Sequence, residues 1–196
     1  MCIRDRKEDV RTSHIPIILL TAKDSLQDKE EGYQVGADSY LTKPFSATLL
    51  HSRINNLLES RKRLTERFNT STPHHNMDEK RALLAESLNK LDNEFIEKIN
   101  QLIEARLSSE KIDIGYLADN MCMSKSTLYR KMKALTGLST NEYVRKIKMQ
   151  HAERLLLEGR YNISEVAFRV GINSVVYFRQ CFKEEFGVLP SEYLKQ

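Results

Sequence analysis

The stretch "IGYLADNMCMSKSTLYRKMKALTG", residues 114–137, returns in altered form at residues 163–187 as "ISEVAFRVGINSVVYFRQCFKEEFG". At an offset of 49 residues, four apolar or small positions of the first copy match four of the second: Leu117, Ala118, Met121 and Met123 against Val166, Ala167, Val170 and Ile172. The second copy then has one extra residue, and the offset becomes 50 for four further positions: Leu128, Met132, Lys133 and Gly137 against Phe178, Phe182, Lys183 and Gly187. The two stretches therefore predict the same structural unit twice.

Each copy has the pattern of a short apolar helix, a tight turn and a longer helix. We expect Ser124 and Asn173 to cap the longer helices, because a short polar side chain can accept a hydrogen bond from the free backbone N–H groups of the first turn. Ala118 and Ala167 lie at the centres of the short helices, where a small side chain lets the longer helix cross closely. This is the helix-turn-helix arrangement, whose second helix enters the major groove of DNA.

Residues 139–159, between the copies, predict a further helix ("STNEYVRKIKMQHAERLLLEG") that ends at Gly159. Its apolar residues share one face: Tyr143, Val144, Ile147, Leu155 and Leu156. A rigid helix between two DNA-reading units would set their separation at about one turn of DNA, so that both could meet the same face of the duplex.

The outward positions of the two longer helices carry side chains suited to DNA. In the first helix these are Lys125, Ser126, Thr127, Tyr129, Arg130 and Lys133. In the second they are Asn173, Ser174, Val176, Arg179, Gln180 and Lys183. Arginine pairs with guanine, glutamine with adenine, and valine or threonine methyl groups contact thymine, whereas serine and lysine near helix ends bind phosphate oxygens. A solvated helix face would account for one such set, but two copies with matching turns favour DNA binding.

The excess of basic residues lies in the same region. The chain has a formal net charge of +4; residues 111–196 hold 14 Lys or Arg against 9 Asp or Glu, and the rest holds 17 against 18. A polyanionic partner would therefore bind the C-terminal part.

Composition and motifs argue against several other classes of protein. The 196 residues are 40% apolar and 30% charged, and the longest apolar run, "IPIILL", is too short to span a bilayer. The three cysteines are isolated and no signal peptide is evident, which favours a cytoplasmic protein without disulfides. No catalytic triad, phosphate-binding glycine loop or metal-ligand spacing occurs, so we expect no enzyme activity, no cofactor and no metal. We interpret the adjacent His74 and His75 as solvated.

Residues 110–196 resemble the AraC/XylS-type DNA-binding domain, in which two helix-turn-helix units are joined by a long helix. The closing stretch "FKEEFGVLPSEYLK" is similar to the end of that family's signature, with Pro190 opening the last helix. The resemblance implies base-reading roles for seven residues: Ser126, Tyr129, Arg130, Val175, Val176, Arg179 and Gln180. Cys122 stands in the first turn where Gly171 stands in the second, and we interpret it as a buried packing residue.

The N-terminal part predicts half of an open α/β sheet. The nearly continuous apolar stretch at residues 15–22 is typical of a buried parallel strand, and residues 38–43 form a second, shorter strand. A helix capped by Asp24 or Ser25 lies between the strands, and another helix begins after Ser46 and can continue to the linker.

The first helix after the linker has an apolar stripe from Phe95 to Ile103, and we expect Asp92 to cap it. The chain is thus divided into an α/β part, a polar linker and a helical part with two units: residues 1–64; residues 65–77; and residues 78–196, with the units at about 112–137 and 162–187.

Residues 1–64 resemble the C-terminal half of a response-regulator receiver domain, through "PIILLTA" and "GADSYLTKPF". The resemblance implies that Thr21 bonds a phosphoryl oxygen on a phosphorylated aspartate, that Lys43 forms an ion pair with it, and that Tyr40 turns inward. In that family the aspartate precedes the threonine by more residues than this chain has there. We therefore expect no phospho-acceptor in this chain, and we interpret the chain as a fragment of a hybrid two-component regulator.

These observations predict a mainly α fold: two helix-turn-helix units joined by a long helix, preceded by a partial α/β, flavodoxin-like receiver fragment. The expected function is that of a sequence-specific DNA-binding transcription regulator, the output part of a two-component phosphorelay. Expected partners are double-stranded DNA, bound in the major groove, and a second copy in a homodimer of the full-length protein. RNA polymerase is a further candidate partner, and no membrane contact is expected. The alternative is a helical protein-interaction module with only non-specific affinity for DNA.

Overall fold

The computed structural model describes residues 2–23, 25–69, 89–108 and 112–194, which are mainly helical, as predicted. The strands and helices in these ranges are α1 Ile3–Glu8, β1 Ile18–Thr21, α2 Leu26–Gln34, β2 Ser39–Thr42, α3 Ala47–Asn69, α4 Lys90–Glu104, α5 Ile114–Asn120, α6 Lys125–Thr136, α7 Thr140–Leu157, α8 Ile163–Arg169, α9 Val175–Phe186 and α10 Pro190–Tyr193. Within the described ranges, no helix has the length and apolar character that crossing a lipid bilayer requires.

The strands β1 and β2 form a parallel pair joined by α2, which confirms the predicted order of strand, helix and strand. The register pairs Ile18 with Ser39 and Thr21 with Thr42. Both strands are shorter than the stretches that predicted them, since each has four residues. Because the strands are parallel and in this register, Thr21 and Thr42 bring the carboxyl ends of both strands to one edge of the sheet.

Ser25 and Ser46 cap the two helices of this part, α2 and α3. Each side-chain oxygen accepts a hydrogen bond from the backbone N–H three residues later, at 3.1 Å in both helices. The other predicted cap of α2, Asp24, lies outside the described residues. Helix α3 extends to Asn69 and so includes the first residues of the predicted linker, while residues 70–77 lie outside the described ranges.

Helix α4 completes the core of the first helix-turn-helix unit. Its residues Phe95, Ile99 and Ile103 are buried and pack with Leu117 of α5 and with the apolar faces of α6 and α7. The first unit therefore depends on a helix that precedes both of its own helices in the chain.

The prediction that Asp92 caps α4 is wrong. Asn89 occupies the cap position, and its side-chain oxygen accepts a hydrogen bond from the backbone N–H of Asp92 at 2.9 Å. Asp92 is only 2% exposed, and its carboxylate pairs with the buried ammonium of Lys131. A carboxylate removed from water in this way requires a charged or hydrogen-bonding partner.

The second core lies along the C-terminal half of α7. Met149, Ala152 and Leu156 of α7 pack there with the short helix α8 and the longer helix α9. Phe182 of α9 and Tyr193 of α10, with ring centroids 5.6 Å apart, meet edge to face at the end of this core. Since the first half of α7 packs in the first core, one continuous helix joins the two units, as predicted.

The residues between α1 and β1 contact the first unit. Val10 packs against its core, and Ser13 and His14 are buried. Burial, followed by the nearby positive charge of Lys131, lowers the pKa of His14 from 6.5 to about 4. In the described part of the chain, Nδ1 of His14 is a buried atom with no hydrogen-bond partner. The charged form of the imidazole is therefore disfavoured at this position.

The burial of His14 predicts a pH-dependent stability. As the pH falls from 6.5 to about 4, the unfolded chain takes up a proton at this imidazole and the folded chain does not. The free energy of unfolding should therefore decrease over that interval, because the unfolded state binds more protons. His14→Phe removes the proton-binding group and should reduce this decrease, as measured by urea unfolding at a series of pH values.

His51→Gln, at an exposed position of α3, is the matched control, because it removes a histidine that is not buried. His151, whose pKa is also lowered by burial, is present in all of these proteins, so the comparison reports on His14 alone. An unchanged pH dependence in His14→Phe would show that this imidazole binds its proton equally well in both states.

Candidate nucleic-acid interface

The two predicted turns have the same backbone geometry. Cys122 has a φ of 52° in the first turn, and Gly171 has a φ of 67° in the second. In each turn the next backbone N–H donates to the carbonyl oxygen five residues earlier: Met123 to Ala118 at 3.0 Å and Ile172 to Ala167 at 2.9 Å. This bond, together with a single left-handed residue, is a common way to end a helix. The repeat in the sequence is thus a repeat of structure.

The interpretation of Cys122 as a buried packing residue is wrong. The residue is exposed, because the left-handed turn that ends α5 lies at the surface of the unit. The cysteine that is buried is Cys181 of α9, which packs in the second core.

The longer helices α6 and α9 both begin with a serine cap. Ser124 accepts a hydrogen bond from the backbone N–H of Thr127 at 3.1 Å, as predicted. In the second unit the cap is Ser174, which accepts from the N–H of Tyr177 at 3.2 Å. The prediction that Asn173 is the cap is therefore wrong. Asn173 is instead the extra residue of the second copy, and it lengthens the turn by one position.

The candidate residues of α6 lie on the face that points away from the first core. Five of them are exposed: Lys125, Ser126, Tyr129, Arg130 and Lys133. The sixth, Thr127, is half-buried. Leu128 and Met132, on the opposite face, are fully buried. The structure therefore brings these polar residues together on one surface of α6.

The candidate residues of the second unit follow the same arrangement with one exception. Six are exposed: Asn173, Ser174, Val176, Arg179, Gln180 and Lys183. Val175 is half-buried and packs against the second core, so the two adjacent valines occupy different environments. Val176 is 77% exposed, an unusual position for an apolar side chain on a polar helix face.

Two buried lysines of α7 hold the second unit, and neither was predicted from the sequence. Lys146 lies 3.4 Å from the carboxylate of Glu185 in α9. The ammonium of Lys148 donates a hydrogen bond to the carbonyl oxygen of Gly171, in the turn of the second unit, at 3.3 Å. Their spacing was a usable signal, since Lys146 follows the buried Tyr143 by three residues and so falls on the same side of the helix. These contacts fix α9 relative to the connecting helix.

Thr21 and Lys43, two of the predicted receiver residues, meet at one edge of the sheet. Thr21 ends β1, and Lys43 follows the end of β2. The backbone N–H of Lys43 donates to the carbonyl oxygen of Thr21 at 2.7 Å, and the Lys43 side chain is exposed. An exposed ammonium and a hydroxyl at this edge are suited to binding an anion. Within the described ranges, no group of three His, Cys, Asp or Glu side chains could hold a metal ion.

Tyr40, the third predicted receiver residue, is buried. Only 7% of it is exposed, and its hydroxyl donates a hydrogen bond to the carbonyl oxygen of Lys23 at 2.9 Å. Its ring packs on Gly32 of α2, where an added Cβ atom would come within 2.8 Å of the ring. The tyrosine therefore packs α2 against the sheet and ties the loop after β1 to it.

Comparison with known families matches two separate parts of the chain. Residues 3–55 match the response regulator receiver domain, and residues 117–196 match a helix-turn-helix domain. The chain joins a receiver segment to an AraC-type helix-turn-helix domain. Both resemblances noted in the sequence are thereby confirmed. The receiver segment, residues 3–55, contains the edge formed by Thr21 and Lys43, and the AraC-type domain contains α6 and α9.

Relatives of known name match different shares of the chain. The chain is 35% identical over 187 residues to histidine kinase P4 of Formosa agariphila. This match covers 95% of this chain and 13% of the length of that kinase. The chain is 32% identical over 99 residues to the DNA-binding dual transcriptional regulator Rns of Escherichia coli, over 50% of this chain and 37% of Rns. The C-terminal domain of AraT, a response regulator from Geobacillus stearothermophilus, is 31% identical with a TM-score of 0.48, over 52% of this chain and 84% of that one.

The shared turn geometry predicts opposite effects of two substitutions. Cys122→Gly should raise the free energy of unfolding by about 1 kcal/mol, because a left-handed backbone strains any residue with a Cβ atom. Gly171→Ala, at the matching position of the second turn, should lower it by about the same amount. Urea unfolding of both variants measures these changes. A loss of stability in Cys122→Gly would contradict the equivalence of the two turns.

Proposed function

We propose that this chain is the DNA-binding output part of a two-component transcription regulator and that it binds double-stranded DNA in a sequence-specific manner. The observation that carries the proposal is the structural repeat: two turns with a left-handed residue at the same position, each followed by a serine-capped helix with an exposed polar face. One such face is common on any helical protein. Two of them, joined by one continuous helix, are the arrangement expected of a protein that contacts two successive major grooves.

The exposed side chains are suited to distinct roles along each helix. Arg130 of α6 and Arg179 of α9 carry guanidinium groups that can donate two hydrogen bonds to one guanine. Gln180 can bind adenine in the same bidentate way, and the exposed Val176 offers its methyl groups to a thymine methyl. Lys125, together with the serine caps at the helix starts, is placed for phosphate oxygens, which fix the position of the helix on the duplex.

The receiver segment supplies the regulatory half of the proposal. In the full-length protein, Thr21 and Lys43 would bind the phosphoryl oxygens of a phosphorylated aspartate, and Tyr40 would respond to that charge. Such a change would promote pairing of two copies as a homodimer and so raise the affinity for repeated sites. A cytoplasmic location and a contact with RNA polymerase complete the proposal for the whole protein.

The proposal is tested by selecting bound sequences from a random pool of duplex DNA with the whole 196-residue chain. We expect a motif with two elements about one helical turn apart. Arg130→Ala should relax the preference at one element and Arg179→Ala at the other, each by about 1–3 kcal/mol of discrimination. Loss of preference at both elements in either variant would contradict the assignment of one unit to one element.

Arg4→Ala is the matched control, because it removes the same charge from an exposed position of α1, far along the chain from both units. It should leave the motif unchanged. A pool that stays random, with binding that weakens steeply as salt is added, would favour the alternative, a helical protein-interaction module with non-specific affinity for DNA.

A further inference from the structure

Lys131 is a charged residue in the interior of the first unit. It belongs to α6, follows Arg130 directly, and is 0% exposed. The side chain lies on the core face of the helix, and its ammonium is 4.7 Å from the centre of the Phe95 ring. A buried ammonium is costly unless each of its N–H groups finds an acceptor.

Three acceptors surround the ammonium of Lys131. It donates to the carboxylate of Asp92 at 2.5 Å, to the hydroxyl oxygen of Ser13 at 2.9 Å and to the carbonyl oxygen of Val10. An ammonium has three N–H groups, so its capacity is fully used. The hydroxyl of Ser13 in turn donates to Asp92 at 2.7 Å, which closes the network. We call these four residues the junction.

Two of the three acceptors come from the receiver segment, and one comes from α4. The junction therefore connects the receiver segment to α6, the helix proposed to read the first DNA element. Asn89 adds a further link, since its amide donates to Asp92 at 3.0 Å and to the carbonyl oxygen of Ser13 at 3.4 Å. Burial lowers the pKa of Lys131, and the hydrogen bond from Lys131 to Asp92 opposes that effect.

The same stretch of the receiver segment is anchored to the sheet. The carboxylate of Asp38 accepts hydrogen bonds from the ammonium of Lys7 and from the backbone N–H of Ile17, both at 2.7 Å. These bonds hold the end of α1, the start of β1 and the start of β2 together. Val10 and Ser13 lie in the loop between α1 and β1, so a shift of the sheet would reach the junction through a short length of chain.

Among the residues that the structure describes, the second unit has no equivalent of the junction. At the offset of 50 residues that relates α6 to α9, Lys131 corresponds to Cys181. Cys181 is 2% exposed and packs among the apolar residues of the second core. The polar connection to the receiver segment is therefore a property of the first unit.

We propose that Lys131 is a positioning residue for DNA recognition: through the junction with Val10, Ser13 and Asp92, the receiver segment sets the orientation of α6 and thereby controls recognition of the first DNA element but not of the second. This inference rests on the proposed function, because it assumes that α6 and α9 each bind one element. A change in the receiver segment would alter the affinity of one half of the site.

The experiment uses the whole chain and the DNA motif selected with it. Ser13→Leu places a bulky apolar side chain at a buried position of the receiver segment and leaves α4 and α6 unchanged. Ser52→Leu makes the same replacement at an exposed position of α3 and is the control. For each protein, the dissociation constant is measured for the intact motif and for motifs with either element scrambled, and hydrogen exchange is measured for residues 10–15 and 125–136.

In Ser13→Leu we expect faster exchange in both stretches, and a preference for the intact first element that falls by roughly five-fold or more. The preference for the second element should stay as in the unchanged protein and in Ser52→Leu. The pair Lys131→Met with Asp92→Leu removes the charges together and fills similar volume, so it should keep the fold and show the same selective loss. If Ser13→Leu weakens folding of the receiver segment, the double variant tests the positioning role of Lys131.

An equal fall for both elements, or faster exchange with no change at the first element, would overturn the positioning role. In either case the unchanged protein would still prefer both elements, and the proposed function would stand. If the unchanged protein itself shows no preference for either element, the proposed function fails, and this inference fails with it.

Discussion

Helix α7 supplies apolar side chains to both small cores, Tyr143 and Ile147 to the first and Met149 and Leu156 to the second. A unit of two or three short helices has little interior, because the fraction of surface that a chain can bury falls as the chain becomes shorter. Because the two units share one helix, each unit gains an apolar surface that its own short helices do not provide. Since a helix rises about 1.5 Å per residue and bends little, the same sharing fixes the separation of α6 and α9.

Each unit also needs one element that the other lacks. The first is closed by α4, whose Phe95 and Ile99 are buried in it, and the second by α10, whose Tyr193 meets Phe182. These closing elements make the inner faces of α6 and α9 different, although their outer faces and turns correspond. A lysine is compatible with the first inner face because α4 supplies Asp92 as its partner, whereas the matching position of the second unit is a cysteine that packs in the second core.

The sequence was sufficient to predict both units, the connecting helix and the outward faces, because helical periodicity and turn residues act locally. It was insufficient where a residue far away in the sequence determines the position of a side chain. Asn89 and Asp92 are both good cap residues, and Asp92 is drawn into the core by a lysine 39 residues away. Lys131 falls on the stripe of Leu128, Met132 and Leu135, so its position indicated burial; its charge favoured solvent, and no local pattern reveals three acceptors. The change of offset located the inserted residue only to within the turn, and hydrogen bonding shows it to be Asn173.

Among the contacts of this chain, the bond between Lys131 and the carbonyl oxygen of Val10 joins residues 121 positions apart. Apolar surfaces can slide over one another at small cost, but an ammonium with three acceptors is satisfied in one arrangement only. The junction therefore does more than add stability, because it specifies how the receiver segment sits against the first unit. On the outer face of the same helix, Arg130 makes only a 3.3 Å hydrogen bond to the carbonyl oxygen of Ser126 in its own helix, within the described structure. The inner side of α6 is thus fixed by several contacts, whereas its outer side makes few. Recognition of a DNA duplex requires this combination, since the scaffold must be rigid while the side chains that contact the DNA remain available.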